Sequence, residues 1–296
     1  MRELIVTVKD FEQLASYQQF HTQCSFRINS SHISHAQLDS FLSNYNSTET
    51  LKDSPVYIDL QGAKMRLGFN QAEIDIAEGE VVAITTVDEV TTDKVIIIDE
   101  RAVSFLKQGT VLSIHDGRMI VEVVGQNSVR VLKGGRVERR KGINFQPHPN
   151  VPIALSQRDI EFIGICKQYL ASNDNIRLAL SFSTDKIQLD EIKELIDCHI
   201  CVKIEKDLSM EKYTELLNNS DSAWICRGDL GAQMGLKDMP KFIYDVAFET
   251  ARSGKYHFVM AGEVLDGCSF VGHPSRTEIC HLYNLKMNGF NGMSLN

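Results

Sequence analysis

Two short segments carry the residues most able to do chemistry: Val202-Lys203-Ile204-Glu205 and Cys226-Arg227-Gly228-Asp229-Leu230-Gly231. Each closes an apolar run that reads as a buried strand, and each sets charge where the strand stops. Cations and carboxylates at the exits of neighbouring parallel strands can hold a divalent metal beside an anionic substrate. Hard cations such as Mg²⁺ take oxygen ligands and keep waters and substrate oxygens in their shell. Lys203 would then balance phosphate charge that the metal leaves uncovered. Taken alone, Arg-Gly-Asp is short and also suits a surface turn.

These segments need elements that bring strand ends together. Leu4–Val8 reads as strand, Phe11–Phe20 as helix, Ser25–Ile28 as strand, Ser34–Tyr45 as helix and Val56–Asp59 as strand. Alternation of this kind implies parallel strands joined by helical crossovers. From about Gln71 to Arg140 the pattern changes to short β-rich runs: Val81–Thr85, Val95–Ile98, Val111–Ile114, Met119–Val124 and Ser128–Val131. Asp116-Gly117 and Gly134-Gly135 read as tight turns between them. An all-β insert is therefore expected between the third strand and the third helix.

Alternation then resumes. Helices are expected over Gln157–Ala171, Lys186–Ile196, Ser209–Asn218, Lys237–Ser253 and Ser275–Met287. Strands are expected over Arg177–Ser181, Ile200–Ile204, Ser222–Cys226, His257–Met260 and Phe290–Met293. Ser156 suits an N-cap, and Pro274 the first turn of the last helix. The count is eight strands and seven crossover helices.

With 296 residues, the chain can bury one large core, and its 43% hydrophobic and 24% charged content is ordinary for a globular protein. A net charge of -8 favours solubility and argues against a nucleic-acid partner. The basic run Arg136 to Lys141 leaves two readings open, a solvated turn or a phosphate site. No apolar run approaches the roughly 18 residues of a membrane span. The amino terminus is too short and acidic for a signal peptide. Seven cysteines without a disulfide-like framework point to a reducing cytoplasm. Cys198-His199-Ile200-Cys201 lacks a second ligand pair at zinc spacing, and strand alternation would point its thiols apart, so these read as packed cysteines.

Several segments together resemble the pyruvate kinase family. Lys203-Ile204-Glu205 and Arg227-Gly228-Asp229-Leu230-Gly231 look like its central strand motifs. Phe26-Arg27-Ile28-Asn29-Ser30-Ser31-His32 is similar to its Arg-x-Asn-x-Ser-His segment. Ile58 to Arg66 is similar to Asp-Thr-Lys-Gly-Pro-Glu-Ile-Arg, and Gly134-Gly135 through Lys141-Gly142-Ile143-Asn144 matches the end of its lid. Pro274-Ser275-Arg276-Thr277-Glu278 looks like Pro-Thr-Arg-Ala-Glu. The resemblance implies an α/β fold: a (β/α)8 TIM barrel over residues 1–69 and 142–296, with residues 70–141 as a β-barrel lid. By the resemblance, the last helix and a C-terminal domain with its sugar-phosphate effector site are expected to be missing, and the open seam is expected to be covered by another subunit of a homo-oligomer or partly by the N-terminal helix.

The resemblance also implies roles. Arg27 clamps the transferring phosphoryl group and Lys203 stabilises it in flight. Glu205 and Asp229 ligate Mg²⁺ or Mn²⁺. Gly228 and Asp229 lie at a helix start, whose backbone N–H groups receive the substrate carboxylate. Asn29, Ser31 and Asp59 match a monovalent-cation site, to which Leu60, in place of the family threonine, could supply a backbone carbonyl. Lys64 stands where potassium-dependent members have glutamate, so its ammonium replaces K⁺ and no K⁺ requirement is expected. His32, Arg66 and Lys141 approach the phosphates of ADP or ATP, Arg140 could share that role, and His115 is read as structural.

One position departs from the pattern. In Val259-Met260-Ala261-Gly262-Glu263-Val264-Leu265 the family threonine that holds the substrate carboxylate and assists enolate protonation is replaced by Gly262. Glu263 could substitute only if its carboxyl turned inward. Three functions follow as expectations: a minimal enzyme converting phosphoenolpyruvate and ADP to pyruvate and ATP, a repurposed phosphotransferase acting on another phosphorylated or 2-oxoacid substrate, and a non-catalytic metabolite-binding homologue.

Overall fold

A computed structural model describes residues 3–21, 23–89, 94–115, 117–146 and 154–295. The chain divides into two compact units, Met1–Ala63 with Ala154–Asn296, and Lys64–Ile153. In chain order the first unit begins with β1 (Glu3–Val8), α1 (Phe11–Ser16), β2 (Cys24–Asn29), α2 (His35–Ser47) and β3 (Val56–Leu60). The second unit holds β4 (Met65–Arg66), β5 (Ile74–Ile76), β6 (Val81–Thr85), β7 (Val95–Ile97) and β8 (Val111–Ile114). It continues with β9 (Met119–Gly125), β10 (Ser128–Lys133), β11 (Gly135–Val137) and β12 (Gly142–Gln146).

The chain then returns to the first unit with α3 (Gln157–Leu170), β13 (Ile176–Leu180), α4 (Lys186–Leu195), β14 (Ile200–Ile204), α5 (Met210–Asn218) and β15 (Ser222–Cys226). It ends with α6 (Arg227–Met234), α7 (Asp238–Phe242), α8 (Phe248–Arg252), β16 (Phe258–Ala261), α9 (Asp266–Val271), α10 (Arg276–Met287) and β17 (Gly292–Leu295).

Eight parallel strands close on themselves in the order β1-β2-β3-β13-β14-β15-β16-β17. This is the expected TIM barrel, and the second unit is the expected β insert. Parallel sheets covered on both faces read as continuous apolar runs, which is why every residue of β14 and β15 is buried. Outward side chains such as Phe26, Ile28, Ile58, Leu60, Val202 and Ile225 join the helices in the main core. Inward ones, including Ile5, Tyr57, Ala179, Cys201, Trp224 and Val259, fill the barrel itself. Because strand side chains alternate, the inward polar residues fall two positions above or below this apolar layer. They form one group at each end.

At the amino-terminal ends of the strands, Glu3 gathers four of these elements. Its Oε1 accepts from Ser25 Oγ at 2.8 Å and Tyr57 OH at 3.0 Å, while Oε2 lies 2.7 Å from His257 Nε2. Arg177 Nη1 donates to Tyr57 OH at 2.8 Å. Burial by itself would raise the Glu3 carboxyl, but hydrogen bonds from His257 and Ser25 outweigh it and hold the group below the usual range.

Several boundaries differ from expectation. Pro274 does not open α10: Ser275 is the N-cap, its side chain accepting from Glu278 N while Glu278 caps Ser275 N in return. Proline merely precedes the cap. Gly134-Gly135 is not a hairpin turn, since β11 pairs with β5 rather than β10. A Cβ on Gly134 would stand 2.9 Å from Glu78 N and from Ile76 O, so close backbone approach is what requires glycine. Asp116 of the other expected turn lies outside the described residues. The helix expected over Lys237–Ser253 holds a π-helical turn, Ile243–Ala247, between α7 and α8. Helix α9 is not among the expected helices, α6 was expected only as a helix start at Gly228 and Asp229, and the last strand begins at Gly292 rather than Phe290. No helix among the described residues is long and apolar enough to cross a membrane.

In the second unit one sheet runs β4-β12-β8-β9-β10-β6-β7, antiparallel apart from the β6–β7 pair.

Glu3→Gln should remove the carboxylate that joins Ser25, Tyr57 and His257 and lower stability by about 1–3 kcal/mol, read from urea denaturation at neutral pH. An unchanged midpoint would show that this group of side chains does not hold the strand ends together.

Candidate active site

At the carboxyl ends of the strands, buried charge converges on Asp59, the fourth residue of β3. Arg27 on β2 donates from Nε to Asp59 Oδ2 at 2.8 Å, with Nη2 2.6 Å from the same oxygen. Lys203 on β14 lies 3.1 Å from Oδ2 and 3.2 Å from Oδ1. Register explains the meeting: Asn29 and Ala179 both pair with Asp59, and β14 follows β13 around the barrel. Asp59 is 2% exposed and Lys203 7% exposed, so these charges are out of water and depend on one another.

Their ionisation follows. Burial raises the Asp59 carboxyl, but Lys203 and Arg27 overcome this and bring it down to about 2. Burial likewise opposes the Lys203 ammonium, and Asp59 and Glu205 outweigh it, pushing the lysine above its usual range. Both groups stay charged at neutral pH.

Further side chains complete the arrangement. Lys203 Nζ also lies 2.8 Å from Ser181 Oγ and 3.1 Å from Glu205 Oε1. Ser181 Oγ donates to Asp59 Oδ1 at 3.2 Å. The Phe182 N–H donates to Glu205 Oε2 at 2.7 Å, from a residue at φ +52°. Arg27 Nη1 donates to Thr7 Oγ1 at 3.0 Å, and that hydroxyl donates to the Leu295 carbonyl at 2.8 Å, tying the first strand to the last. Ser181 and Thr7 were not among the residues singled out from sequence. Their signal was their place at an inward position near a strand's end.

A third missed residue is Asp159. Buried at the start of α3, it accepts from Gln61 N at 3.0 Å and Gly62 N at 3.1 Å, fixing the turn that follows Asp59. Gly62 sits at φ +56°, and a Cβ there would stand 2.2 Å from the Ser181 carbonyl oxygen. Only glycine fits.

Asp229 and Gly228 lie in the first turn of α6, which starts directly from β15 without a side-chain cap. The Cys226 thiol, pushed well up by burial, feels Glu205, Lys203, Asp59 and Asp229, which puts all four within electrostatic reach of one inward strand-end position. As ion pairs, Arg27, Lys203, Asp59 and Glu205 carry no net formal charge, so an incoming phosphate would need a further cation. Glu205 and Asp229 are hard oxygen donors on adjacent strand exits, a set that fits Mg²⁺ or Mn²⁺ completed by water and substrate. No group of three or more His, Cys, Asp or Glu suited to a metal occurs among the described residues.

The remaining candidates separate by unit. Asn29 Oδ1 caps Ser31 N at 3.0 Å, and the Leu60 carbonyl accepts from Ser181 N at 3.3 Å. His32 is exposed at the end of the short 3-10 helix Ser30–His32. Lys64, Arg66 and Lys141 belong to the second unit, where the Lys64 side chain crosses Gly142 and Arg66 Nη1 donates to the Arg140 carbonyl at 2.9 Å. The Arg140 guanidinium stands 4.1 Å over the Phe69 ring. Lys141 pairs with Glu138 at 3.1 Å, and Arg136 with Glu73 at 3.0 Å. His115, at φ +53°, lies 4.0 Å from Glu138.

The exit of β16 gives a different picture. Gly262 has φ +85°, Glu263 φ +52° and Leu265 φ +129°. The Glu263 side chain is exposed, so the inward turn required of a substitute acid is not met. A Cβ on Gly262 would lie 3.3 Å from Gly228 N.

A family profile described as pyruvate kinase, barrel domain, matches residues 9–296. Similar curated proteins include the pyruvate kinase of Thermotoga maritima, 25% identical over 286 residues, covering 91% of this chain and 60% of that one. The pyruvate kinase of Methylorubrum extorquens is 28% identical over 281 residues, covering 91% and 58%. That of Mycobacterium tuberculosis is 28% identical over 280 residues, covering 88% and 58%. The chain thus spans about 60% of the length of these relatives.

Two outcomes test the geometry. The Asp59 carboxyl is lowered, so its stabilisation is present above its unfolded value near 4 and is lost as pH falls toward about 2. Asp59→Asn should therefore flatten the acid limb of stability by on the order of 2 kcal/mol, measured by urea titration across that window; an unaltered limb would refute the pairing. Gly262→Thr should lower stability by roughly 1–2 kcal/mol, because a β-branched residue resists φ +85°; a neutral or stabilising effect would contradict this backbone.

Proposed function

This chain belongs to the pyruvate kinase family, and from that premise we propose that it transfers a phosphoryl group between phosphoenolpyruvate and ADP, giving pyruvate and ATP. The observation that carries the reading is the pair of cations, the buried Lys203 and the partly buried Arg27, held by one carboxylate at the exits of β14 and β2. In this reaction the bond from phosphorus to the enol oxygen breaks as phosphorus gains an oxygen of the terminal ADP phosphate. The enolate left behind takes up a proton at carbon. Little covalent work falls to the protein, so positioned charge supplies most of the rate.

Arg27 and Lys203 face the phosphoryl oxygens, exchanging part of their hold on Asp59 for the substrate. The backbone N–H groups of Gly228 and Asp229, at the start of α6, receive the substrate carboxylate, with Gly262 beside them. Glu205 and Asp229 would hold Mg²⁺ or Mn²⁺, which supplies the positive charge missing from the neutral quartet. His32, Arg66 and Lys141 serve the nucleotide phosphates. Lys64 supplies the charge that K⁺ brings elsewhere to a site of the kind formed by Asn29, Ser31, Asp59 and Leu60, so K⁺ is not required.

A second reading has its own support. With glycine at position 262 and Glu263 exposed, neither residue offers an inward hydroxyl or acid for the enolate. The same charge arrangement would then serve another phosphorylated or 2-oxoacid substrate, or metabolite binding without turnover. In either case we read the chain as a cytoplasmic protein that associates with copies of itself. The exposed stripe Ile279, Tyr283 and Met287 on α10 supports association.

Phosphorus NMR of the protein with phosphoenolpyruvate, ADP and Mg²⁺ tests the assignment. ATP should appear at turnover rates, barely altered by K⁺, and Lys203→Ala should abolish it. A substrate resonance that broadens without forming ATP would move the assignment to the second reading. Unchanged turnover in Lys203→Ala would sink the site altogether, and strong activation by K⁺ would overturn the role given to Lys64.

A further inference from the structure

Arg227 does not face a carboxylate. From the first residue of α6 its Nε donates to the Gly262 carbonyl at 2.8 Å, and Nη2 donates to the carbonyls of Gly262 and Glu263. Nη1 lies 3.1 Å from Nε2 of His281, on α10. A guanidinium is always protonated and can only donate, so His281 Nε2 accepts and the imidazole is neutral, its proton on Nδ1. Burial and the neighbouring Arg227 both keep His281 in that form. The acidic charges that Arg227 feels are Glu263 and Asp266.

These bonds join three elements at the point where the backbone is least relaxed. Three of the four residues from 262 to 265 have positive φ, two of them not glycine. Such conformations persist only where the surroundings over-determine them. Carbonyls held by a forked, charged donor supply that constraint, and the imidazole fixes the plane of the fork. The held loop is also the neighbour of the α6 start, since a Cβ on Gly262 would come within 3.3 Å of Gly228 N.

We infer that Arg227 and His281 are positioning residues that hold the Gly262–Leu265 loop and so set the approach to the backbone N–H groups at the start of α6. This rests on the reading above only in naming the anion received there, an enol-phosphate carboxylate. The clamp itself is a property of the free protein. Lysine cannot replace the arginine, because a single ammonium lacks the fork. Glutamine can stand in for the imidazole, since it offers a neutral acceptor.

Hydrogen exchange of the free protein and binding of phosphoenolpyruvate with Mg²⁺ test the inference together. Arg227→Lys and His281→Lys should speed exchange of the amides of residues 262–266 by about tenfold or more, with β14 and β15 as protected as before. His281→Gln should restore protection. The same lysine variants should weaken phosphoenolpyruvate binding by about tenfold while ADP binding stays within about twofold. Wild-type exchange in His281→Lys would overturn the clamp, and a loss of protection spread through β14 and β15 would reduce it to a general stability effect. Loosening of the loop with phosphoenolpyruvate affinity unchanged would overturn its link to the anion. If the unaltered protein binds no phosphoenolpyruvate, the proposed reaction fails, and local exchange at the loop alone upholds or overturns the clamp.

Discussion

The Asp59 carboxylate is the constraint on which the site depends. It accepts from Arg27 and Lys203 at once, and the Lys203 ammonium, 7% exposed, has too little water to be stable without it. Removing one member of such a group costs more than the pair contributes, because the others stay buried. The surroundings accordingly serve this carboxylate. Ser181 fills its remaining acceptor capacity, Asp159 pins the turn directly after it, and Gly62 allows that turn to lie against β13. The barrel holds the arrangement because it brings β2, β3, β13 and β14 side by side with their carboxyl ends together.

The interior of the barrel divides its chemistry by height. Glu3, Ser25, Arg177 and His257 meet near the amino-terminal ends, and the Arg27–Asp59–Lys203–Glu205 group meets at the other. Between them lies an apolar layer that includes Ile5, Ala179, Trp224 and Val259. The lower group consists of a carboxylate whose partners are all supplied locally, which makes it a structural fastening. Only the upper group couples two cations to carboxylates beside an uncapped helix start. That asymmetry, more than the number of charges, separates the site from the fastening.

Most of the fold was legible because parallel strands buried on both faces leave unbroken apolar runs, and the polar residue at each run's end marks an exit. Lys203 and Glu205 stood out for this reason, whereas Asp59 was named only through the resemblance, as a monovalent-cation ligand and not as the acceptor of Arg27 and Lys203. Ser181, Thr7 and Asp159 did not stand out, since serine, threonine and a first-turn aspartate occur throughout any chain and acquire meaning only from what register sets opposite them. Only the start of the short helix α6 was legible, through the resemblance, because it begins within the Arg-Gly-Asp segment itself, with no capping residue or loop to announce it. Pro274 misled because a proline suits the residue before an N-cap as well as the first turn, and the Ser275–Glu278 capping box decides between them.

The exit of β16 shows why a missing side chain cannot be judged from sequence alone. Read as a string, Gly262 in place of threonine is the loss of one hydroxyl, and a single substitution would seem to restore it. The backbone makes the change larger. At φ +85° the residue follows a path that a β-branched side chain resists, the next residue is also left-handed, and Arg227 holds both carbonyls. The exit itself follows this course, and the contacts of Arg227 with its carbonyls and with His281 stabilise it. The Arg27–Asp59–Lys203–Glu205 group thus stands beside an exit that is held by other means. The two need not change together, because the first is fixed from β2, β3 and β14 and the second from α6 and α10. Under the proposed reaction, the hold on the phosphoryl group and the treatment of the enolate would therefore be separable.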